Sequence, residues 1–426
     1  MTTEELYKIY LEYPSVQTDT RKLQKGDLFF ALKGPNFNAN EFAQKAINAG
    51  AAYAVIDDEQ YAVEGKTIVV SDVLTSLQQL AKHHRQQFKI PFIAITGSNG
   101  KTTTKELIHV VLSSAFKTYT TEGNLNNHIG VPLTILKIKQ DAEIAVIEMG
   151  ANHLREIASY CTIALPTHGL ITNCGKAHLE GFGSEEGVRK GKGELYDHLR
   201  AHDGTAFIMW DYPYLRAMSK SIPHIYIYGT NDADIVGNVL RSDQYLEVEF
   251  QKGFKGTIHT NLVGDYNLPN VLAAVAVGKY FNVDEEKIKS SIESYTPTNS
   301  RSQLLQKNSN RIILDAYNAN PTSMKAAIEN FAKAEGNEKI LALGAMAELG
   351  ADSLKEHDDI IKEIDKHQWK DVILVGGDFM KVDHTYRKFN SPTEAGEFIQ
   401  NIKPQNAFFL IKGSRSMQME KLLDYL

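Results

Sequence analysis

Residues Ile93 to Thr104 read I-A-I-T-G-S-N-G-K-T-T-T, and no other stretch restricts the chain as much. A short apolar run ends at Thr96. A glycine turn follows, then Lys101 with three threonines, then the helix-like Lys105–Leu112. That order suits a triphosphate. Glycines let the backbone curl so that N–H groups point at phosphate oxygens, and the helix behind the turn adds its positive end. Lys101 would reach the β- and γ-phosphates, and the Thr102 hydroxyl would hold Mg²⁺. The spacing is compressed. The generic pattern G-x-x-x-x-G-K-S/T needs glycine where this chain has Ile95; here the order is Gly97-Ser98-Asn99-Gly100-Lys101-Thr102. The alternative is a strand-to-helix turn that binds nothing, and the Lys-Thr directly after Gly100 argues against it.

At 426 residues the chain has material for several domains. Lys+Arg 46 against Asp+Glu 52 leaves a net charge of −6 with no basic block, which speaks against nucleic acid as a partner. The start, Met-Thr-Thr-Glu-Glu, is acidic and no apolar signal segment follows, and no apolar run approaches membrane-spanning length. Cys161 and Cys174 are the two cysteines, too few for a disulfide scaffold or a cysteine zinc site, and they fit a reducing cytoplasm.

The expected fold is α/β in three domains. Residues 1–85 form a small α/β domain, with strands at Asp27–Leu32 and Tyr53–Ile56 and a helix at Glu41–Asn48. Gln86–Ile90 reads as a linker. Residues 91–298 form a central ATPase-type parallel sheet, in which Phe92–Thr96 and Ile144–Met149 are continuous apolar runs suited to strands covered on both faces. Leu246–Phe250 and Thr257–Leu262 alternate and read as an antiparallel flap. Residues 299–426 restart the strand–helix rhythm as a Rossmann-like domain, with strands at Arg311–Asp315, Lys339–Gly344, Asp371–Gly376 and Ala407–Lys412.

Glu148 ends an apolar strand just before Gly150. Ligands of open α/β sheets bind at the carboxyl ends of strands, so a carboxylate there, beside a phosphate loop, suits Mg²⁺; helix capping is the alternative. Asn173–Glu194, N-C-G-K-A-H-L-E-G-F-G-S-E-E-G-V-R-K-G-K-G-E, again follows an apolar strand. Taken singly, His178 reads as a structural histidine, and Lys192, between Gly191 and Gly193, as a solvent-exposed lysine.

Together these segments resemble the Mur ligase family, through nearly the whole chain. T-G-S-N-G-K-T-T is similar to the family's compact phosphate loop. E-G-N-L-N-N-H-I-G-V-P-L-T (122–134), N-C-G-K-A-H-L-E, K-G-K-G-E, G-D-Y-N-L-P-N-V-L-A-A (264–274), G-A-M-A-E-L-G (344–350) with His357, and K-G-S-R (412–415) follow in the family's order. L-D-A-Y-N-A-N-P-T-S-M (314–324) points, within the family, to members that add D-alanyl-D-alanine to UDP-N-acetylmuramoyl-tripeptide in cytoplasmic peptidoglycan precursor synthesis.

The resemblance implies an ATP-dependent amide ligase, a monomer with no membrane span. It implies that Gly97, Ser98, Asn99, Gly100, Lys101, Thr102 and Thr103 cradle ATP phosphates, and that Asn267, Asn270, Arg301, Asp315 and Asn318 contact adenine, ribose or phosphate around the domain junction. Thr102 and Glu148 would hold one Mg²⁺, with His178 and a carbamylated Lys192 at a second. Gly191 and Gly193 would leave room for the added carbamate. Lys101, Glu148, His178, Lys192 and Arg301 would serve catalysis. Asp19, Thr20, Arg21, Lys33 and Gly34 would face the UDP-sugar, with Asn124, Asn126, Ser414 and Arg415 as further substrate contacts. The chain departs from the family pattern at Ala39, Asn40, Tyr266, Ser300, Ala316 and Ala345, which bears on nucleotide and uridine contacts. Alternatives are a ligase adding a single amino acid, a folylpolyglutamate-type synthetase, an ATPase that forms no bond, and a NAD-dependent dehydrogenase. Y-N-A-N-P speaks against the first two, and the missing third glycine after Gly376-Gly377 against the last.

Overall fold

The computed structural model describes residues 1–298 and 300–426. Their strands gather into three larger sheets and one short hairpin. The first sheet has four parallel strands, Val16–Gln17, Leu28–Phe30, Tyr53–Ile56 and Thr67–Val69. The helix expected at Glu41–Asn48 is divided: a 3₁₀ turn over Ala39–Phe42 leads into an α-helix over Ala43–Asn48.

The second sheet has nine strands and carries the phosphate loop. β1 (Phe92–Thr96) is buried at every position, as its unbroken apolar sequence requires, and feeds through the loop into α1 (Lys101–Ser113). On one side β1 pairs in parallel with β2 (Ile144–Glu148), with Ile95 opposite Glu148. On the other it pairs with β3 (His168–Ile171), with Thr96 opposite Ile171. The chain thus crosses from one flank of β1 to the other between β2 and β3. That crossover opens a crevice at the carboxyl ends of the three strands, and it brings the phosphate loop, Glu148 and Asn173 together.

α2 (Glu185–Ala201) packs on this sheet through Val188, Leu195 and Leu199. α3 (Leu268–Tyr280) is buried almost all round, consistent with an apolar sequence lacking a polar stripe, and lies against α1. The strands expected as an antiparallel flap do pair antiparallel, and they form the sheet's far edge. Ile235–Arg241, Glu247–Lys252 and Gly256–His259 pair antiparallel, and Ile235–Arg241 joins the parallel strands through His224–Gly229. Glu247–Lys252 buries alternate residues because only one of its faces is covered.

The third sheet has six strands. β4 (Asn310–Asp315) pairs antiparallel with Gln303–Lys307 and parallel with β5 (Phe408–Lys412). α4 (Pro321–Lys333) follows β4, its start capped by the Asn320 side chain. The boundary expected at 298/299 touches Asn299, which lies outside the described residues. The expected linker 86–90 adjoins the helix Val73–Arg85, whose end is anchored in the central unit. His84 Nε2 lies 2.8 Å from the Ile138 carbonyl, and the Arg85 guanidinium, 3.7 Å from the Phe92 ring centroid, donates to the carbonyls of Ala164, Phe88 and Leu165. Among the described residues no helix is long and apolar enough to cross a membrane.

Candidate active site

A cleft of about 970 Å³ opens at the carboxyl ends of β1, β2 and β3. Its walls include Lys101, Glu148, His178, Asn267, Arg301 and Asn318, so it draws on the central and C-terminal parts of the chain.

The loop is braced from behind by the segment after β3. Ser98 N–H donates to the Asn173 carbonyl, Asn99 N–H to Asn173 Oδ1, and Thr172 Oγ1 to the Asn99 carbonyl at 2.6 Å. The Ser98 and Asn99 amides, expected to face phosphate, are therefore already engaged. The amides with no helical partner are those of Lys101, Thr102 and Thr103 in the first turn of α1. Glycine is required twice. At Gly97 a Cβ would stand 2.0 Å from Thr172 Oγ1, and at Gly100, with φ of +78°, it would stand 2.6 Å from Asn270 Oδ1. Asn270 is thus a brace of the loop: it accepts from Thr104 Oγ1 and donates to Asn267 Oδ1. Lys101 Nζ folds back onto the carbonyls of Gly97 and Ser98. Burial lowers its pKa; Glu148 opposes this and Arg301 adds to it.

Glu148 is 1% exposed. Its Oε1 accepts from Asn126 Nδ2 at 2.7 Å and from Thr102 Oγ1 at 3.2 Å, while Oε2 has no partner. A buried carboxylate oxygen without a partner is costly. Beside a hydroxyl and a phosphate loop, this all-oxygen set fits a hard cation such as Mg²⁺. Asn126, expected to touch substrate, here fixes the carboxylate; Asn124 lies in the same loop on the cleft wall.

Lys192 is not a surface lysine. It sits within α2 and is fully buried, its Nζ donating to the Ala151 carbonyl at 2.8 Å and lying 5.0 Å from the Phe182 ring centroid. Burial and the Lys101 charge bring its pKa down to about 7. The room expected at Gly191 is taken: a Cβ there would meet Phe182 Cε1 at 2.4 Å, so this glycine serves packing. His178 contacts no other candidate ligand. Its Nδ1 lies 2.5 Å from Glu348 Oε2, and among the described residues no three or more His, Cys, Asp or Glu side chains are grouped so that they could hold a metal ion by themselves.

The C-terminal part closes onto the loop through contacts no local pattern announces. Asn320 Nδ2 donates to Asn99 Oδ1, Lys176 pairs with Glu356 at 2.6 Å, and Lys176 N–H donates to Thr322 Oγ1. Arg301 stacks 3.7 Å from the Tyr317 ring centroid. Asp315 is held by buried Lys412 at 2.5 Å and by Ser302 N–H. A lysine ending the apolar run F-F-L-I-K was the available signal for this pair. Asn318 lines the cleft and its Oδ1 accepts from Ala319 N–H. Ser414 is buried and its hydroxyl donates to the Ala345 carbonyl, so that oxygen is committed within the fold. Arg415 is exposed, pairs with Glu420, and sits 5.7 Å from the Tyr317 ring centroid.

The first-domain candidates stand outside this cleft. Arg21 grips Asp19 with two hydrogen bonds, and Thr20 lies between them. Lys33 and Gly34 form one side of the exposed hairpin with Phe37–Asn38 and line a separate surface pocket with Phe37 and Phe42. At the departures, local bonds compensate. Asn40 is fully buried and exchanges two hydrogen bonds with Asp57, which pairs with Lys33 at 2.8 Å; Ala39 is buried with its N–H on the Leu32 carbonyl. Tyr266 OH meets Ser302 Oγ at 2.9 Å. Ser300 has φ of +56°, a conformation glycine adopts more cheaply. Ala316 and Ala345 are buried small residues.

A phosphate loop, a strand-end carboxylate and a second sheet closing over both define a nucleotide-dependent enzyme. The comparisons give its kind: residues 95–278 match the Mur ligase middle domain, 300–415 the Mur ligase glutamate ligase domain, and 12–85 the Mur ligase family catalytic domain. The UDP-N-acetylmuramoyl-tripeptide–D-alanyl-D-alanine ligase of Bacillus subtilis (strain 168) is 36% identical over 427 residues, spanning 96% of this chain and 92% of the relative. The crystal structure of MurF from Acinetobacter baumannii superposes with a TM-score of 0.87 at 31% identity, over 96% of this chain and 92% of that one. MurF ligase from Thermotoga maritima in complex with ADP gives 0.86 at 26% identity, over 97% of each chain. The chain belongs to the Mur ligase family.

Proposed function

We propose that this chain joins D-alanyl-D-alanine to the terminal carboxylate of UDP-N-acetylmuramoyl-tripeptide at the expense of ATP, as its relatives' names state for them. The observation that carries the reading is the seating of Asp315–Asn320, the D-A-Y-N-A-N segment, on the phosphate-loop cleft, with Asn320 bonded to Asn99.

A carboxylate is a poor electrophile and does not couple to an amine at neutral pH. In this reading the tripeptide carboxylate attacks the γ-phosphorus of ATP, and ADP leaves. The acyl phosphate then loses phosphate when the dipeptide amine attacks its carbonyl carbon. The chain's own work is charge neutralisation and positioning. Lys101 swings from the Gly97 and Ser98 carbonyls to the phosphates, the first-turn amides of α1 receive their oxygens, and Arg301 approaches from the C-terminal side. The closing contacts of Asn320, Lys176 and His178 exclude water from the acyl phosphate.

Glu148 and Thr102 would hold one Mg²⁺, and His178 with carbamylated Lys192 would support a second. Bound Mg²⁺ supplies further neutralisation of phosphate and carboxylate charge. A buried amine with its pKa near 7 is partly neutral at physiological pH. Its nitrogen lone pair adds to the carbon of CO₂, a proton leaves, and the cation becomes an oxygen anion. Asp19, Thr20, Arg21, Lys33 and Gly34 face the UDP-sugar, and Arg415 the dipeptide carboxylate. Residues 1–85, 91–298 and 299–426 act as sugar-nucleotide, ATP and ligase domains of a monomer in the cytoplasm, where ATP and nucleotide sugars are held. The test is phosphate release with ATP, UDP-N-acetylmuramoyl-tripeptide and D-alanyl-D-alanine, each omitted in turn. Release should require all three; release without the dipeptide would contradict the reading.

A further inference from the structure

Lys105 is a buried cation that the reaction scheme does not use. It lies one turn into α1, four residues after Lys101, and is 0% exposed. Its Nζ donates to the Thr121 carbonyl at 2.6 Å and to Glu106 Oε1 at 2.6 Å. A fully buried ammonium is expensive unless its bonds are made, so its place in the fold demands a reason.

Thr121 supplies one. This residue, also 0% exposed, begins the loop that runs to Asn126. Its N–H extends the sheet by donating to the Val146 carbonyl, and its Oγ1 accepts from the backbone N–H of Glu148 at 3.0 Å. At the loop's other end, Asn126 Nδ2 donates to Glu148 Oε1 and the Asn126 carbonyl accepts from Gly150 N–H. The loop is therefore a strap over Glu148, holding its backbone from one end and its carboxylate from the other. Lys105 fastens the strap's first residue to the helix that carries Lys101 and Thr102.

We infer that Lys105 is a positioning residue for Glu148: through Thr121 it sets the carboxylate against Thr102 and fixes the cation site. This rests on the reading that Glu148 holds a divalent cation. Two effects of removing Lys105 oppose one another, which makes the idea testable. By Coulomb's law alone, deleting a positive charge and leaving Glu106 uncompensated makes the region more negative and tightens cation binding. Loss of positioning loosens it.

The probe is Mn²⁺, titrated into the full-length protein with ADP and followed by electron paramagnetic resonance. In Lys105→Met the Mn²⁺ dissociation constant should rise about tenfold or more, the usual effect of losing a group that orients a ligand, while metal-free ADP binding stays near that of the parent. A folded Lys105→Met protein that binds Mn²⁺ as tightly as the parent, or more tightly, overturns the inference. If Lys105→Met does not fold, Thr121→Val decides: it keeps the carbonyl for Lys105 and removes the hydroxyl that holds Glu148, so unchanged Mn²⁺ binding there overturns the inference as well. Glu148→Gln separates the two layers. Unchanged Mn²⁺ binding in that variant removes the underlying reading; weakened binding there, with parent-like binding in the other two, removes only the role of Lys105.

Discussion

Asn320 Nδ2 donates to Asn99 Oδ1 across 2.7 Å, although the two residues stand 221 positions apart. One belongs to the phosphate loop and the other caps α4, so loop and C-terminal sheet share a hydrogen bond. Asn320 Oδ1 also accepts from Ser323 N–H as the helix cap. Asn320→Asp keeps a good cap acceptor but loses the donor to Asn99. The variant should retain its melting temperature, and its KM for ATP should rise severalfold, as expected for roughly 1 kcal/mol of lost hydrogen bonding. Steady-state kinetics beside thermal melting checks both.

Lys192 separates a carbamate from a plain cation. Lys192→Ala should lose most ligation, and acetate should restore part of it by supplying an anionic oxygen in the vacated space. Methylamine should not. The reverse pattern of rescue, scored as ligation rate against additive concentration, would show that the ammonium itself is the working group.

Arg415 is exposed, so its removal should cost no stability. A guanidinium pairs with a carboxylate through two parallel bonds, and the dipeptide has a free carboxylate. Arg415→Ala should therefore raise the KM for D-alanyl-D-alanine about tenfold or more and leave that for ATP little changed. Equal shifts in the two constants would count against this contact.

His168 provides a test of the fold. Its ring lies among Phe207, Tyr280 and Phe281, and burial lowers its pKa from 6.5 to about 4. Between those values the unfolded chain binds more protons than the folded one, so stability falls as pH drops from about 6.5 towards 4. The difference in unfolding free energy between the parent and His168→Gln, followed by urea denaturation, should change in this window and stay level above it.

The parts of the site legible in the sequence are those written locally. Gly97–Thr102 is one continuous turn, and Glu148 stands at the end of an unbroken apolar run, so strand-end chemistry points to both. The sequence does not carry the register that sets Ile95 beside Glu148, because strand pairing is decided between segments. The burial of Lys192 was hidden for the same reason: it depends on Phe182 filling the space above Gly191, and flanking glycines read equally well as exposure. The antiparallel flap was legible because alternation reports one covered face, whereas its attachment to the parallel strands through His224–Gly229 was not, since strand pairing is decided between segments. Asn270 was legible as a polar residue at a helix start, but its contact with Gly100 exists only once α3 lies against α1.

The central claim is that the tripeptide carboxylate takes a phosphoryl group from ATP before the amide forms. UDP-N-acetylmuramoyl-tripeptide labelled with ¹⁸O in its terminal carboxylate tests this directly, with ATP, D-alanyl-D-alanine and Mg²⁺ supplied and the products weighed by mass spectrometry. Acyl phosphate chemistry leaves one carboxylate oxygen on the released phosphate, so each turnover should yield one ¹⁸O-phosphate and a product extended by the dipeptide. Unlabelled phosphate accompanying that product would contradict the account.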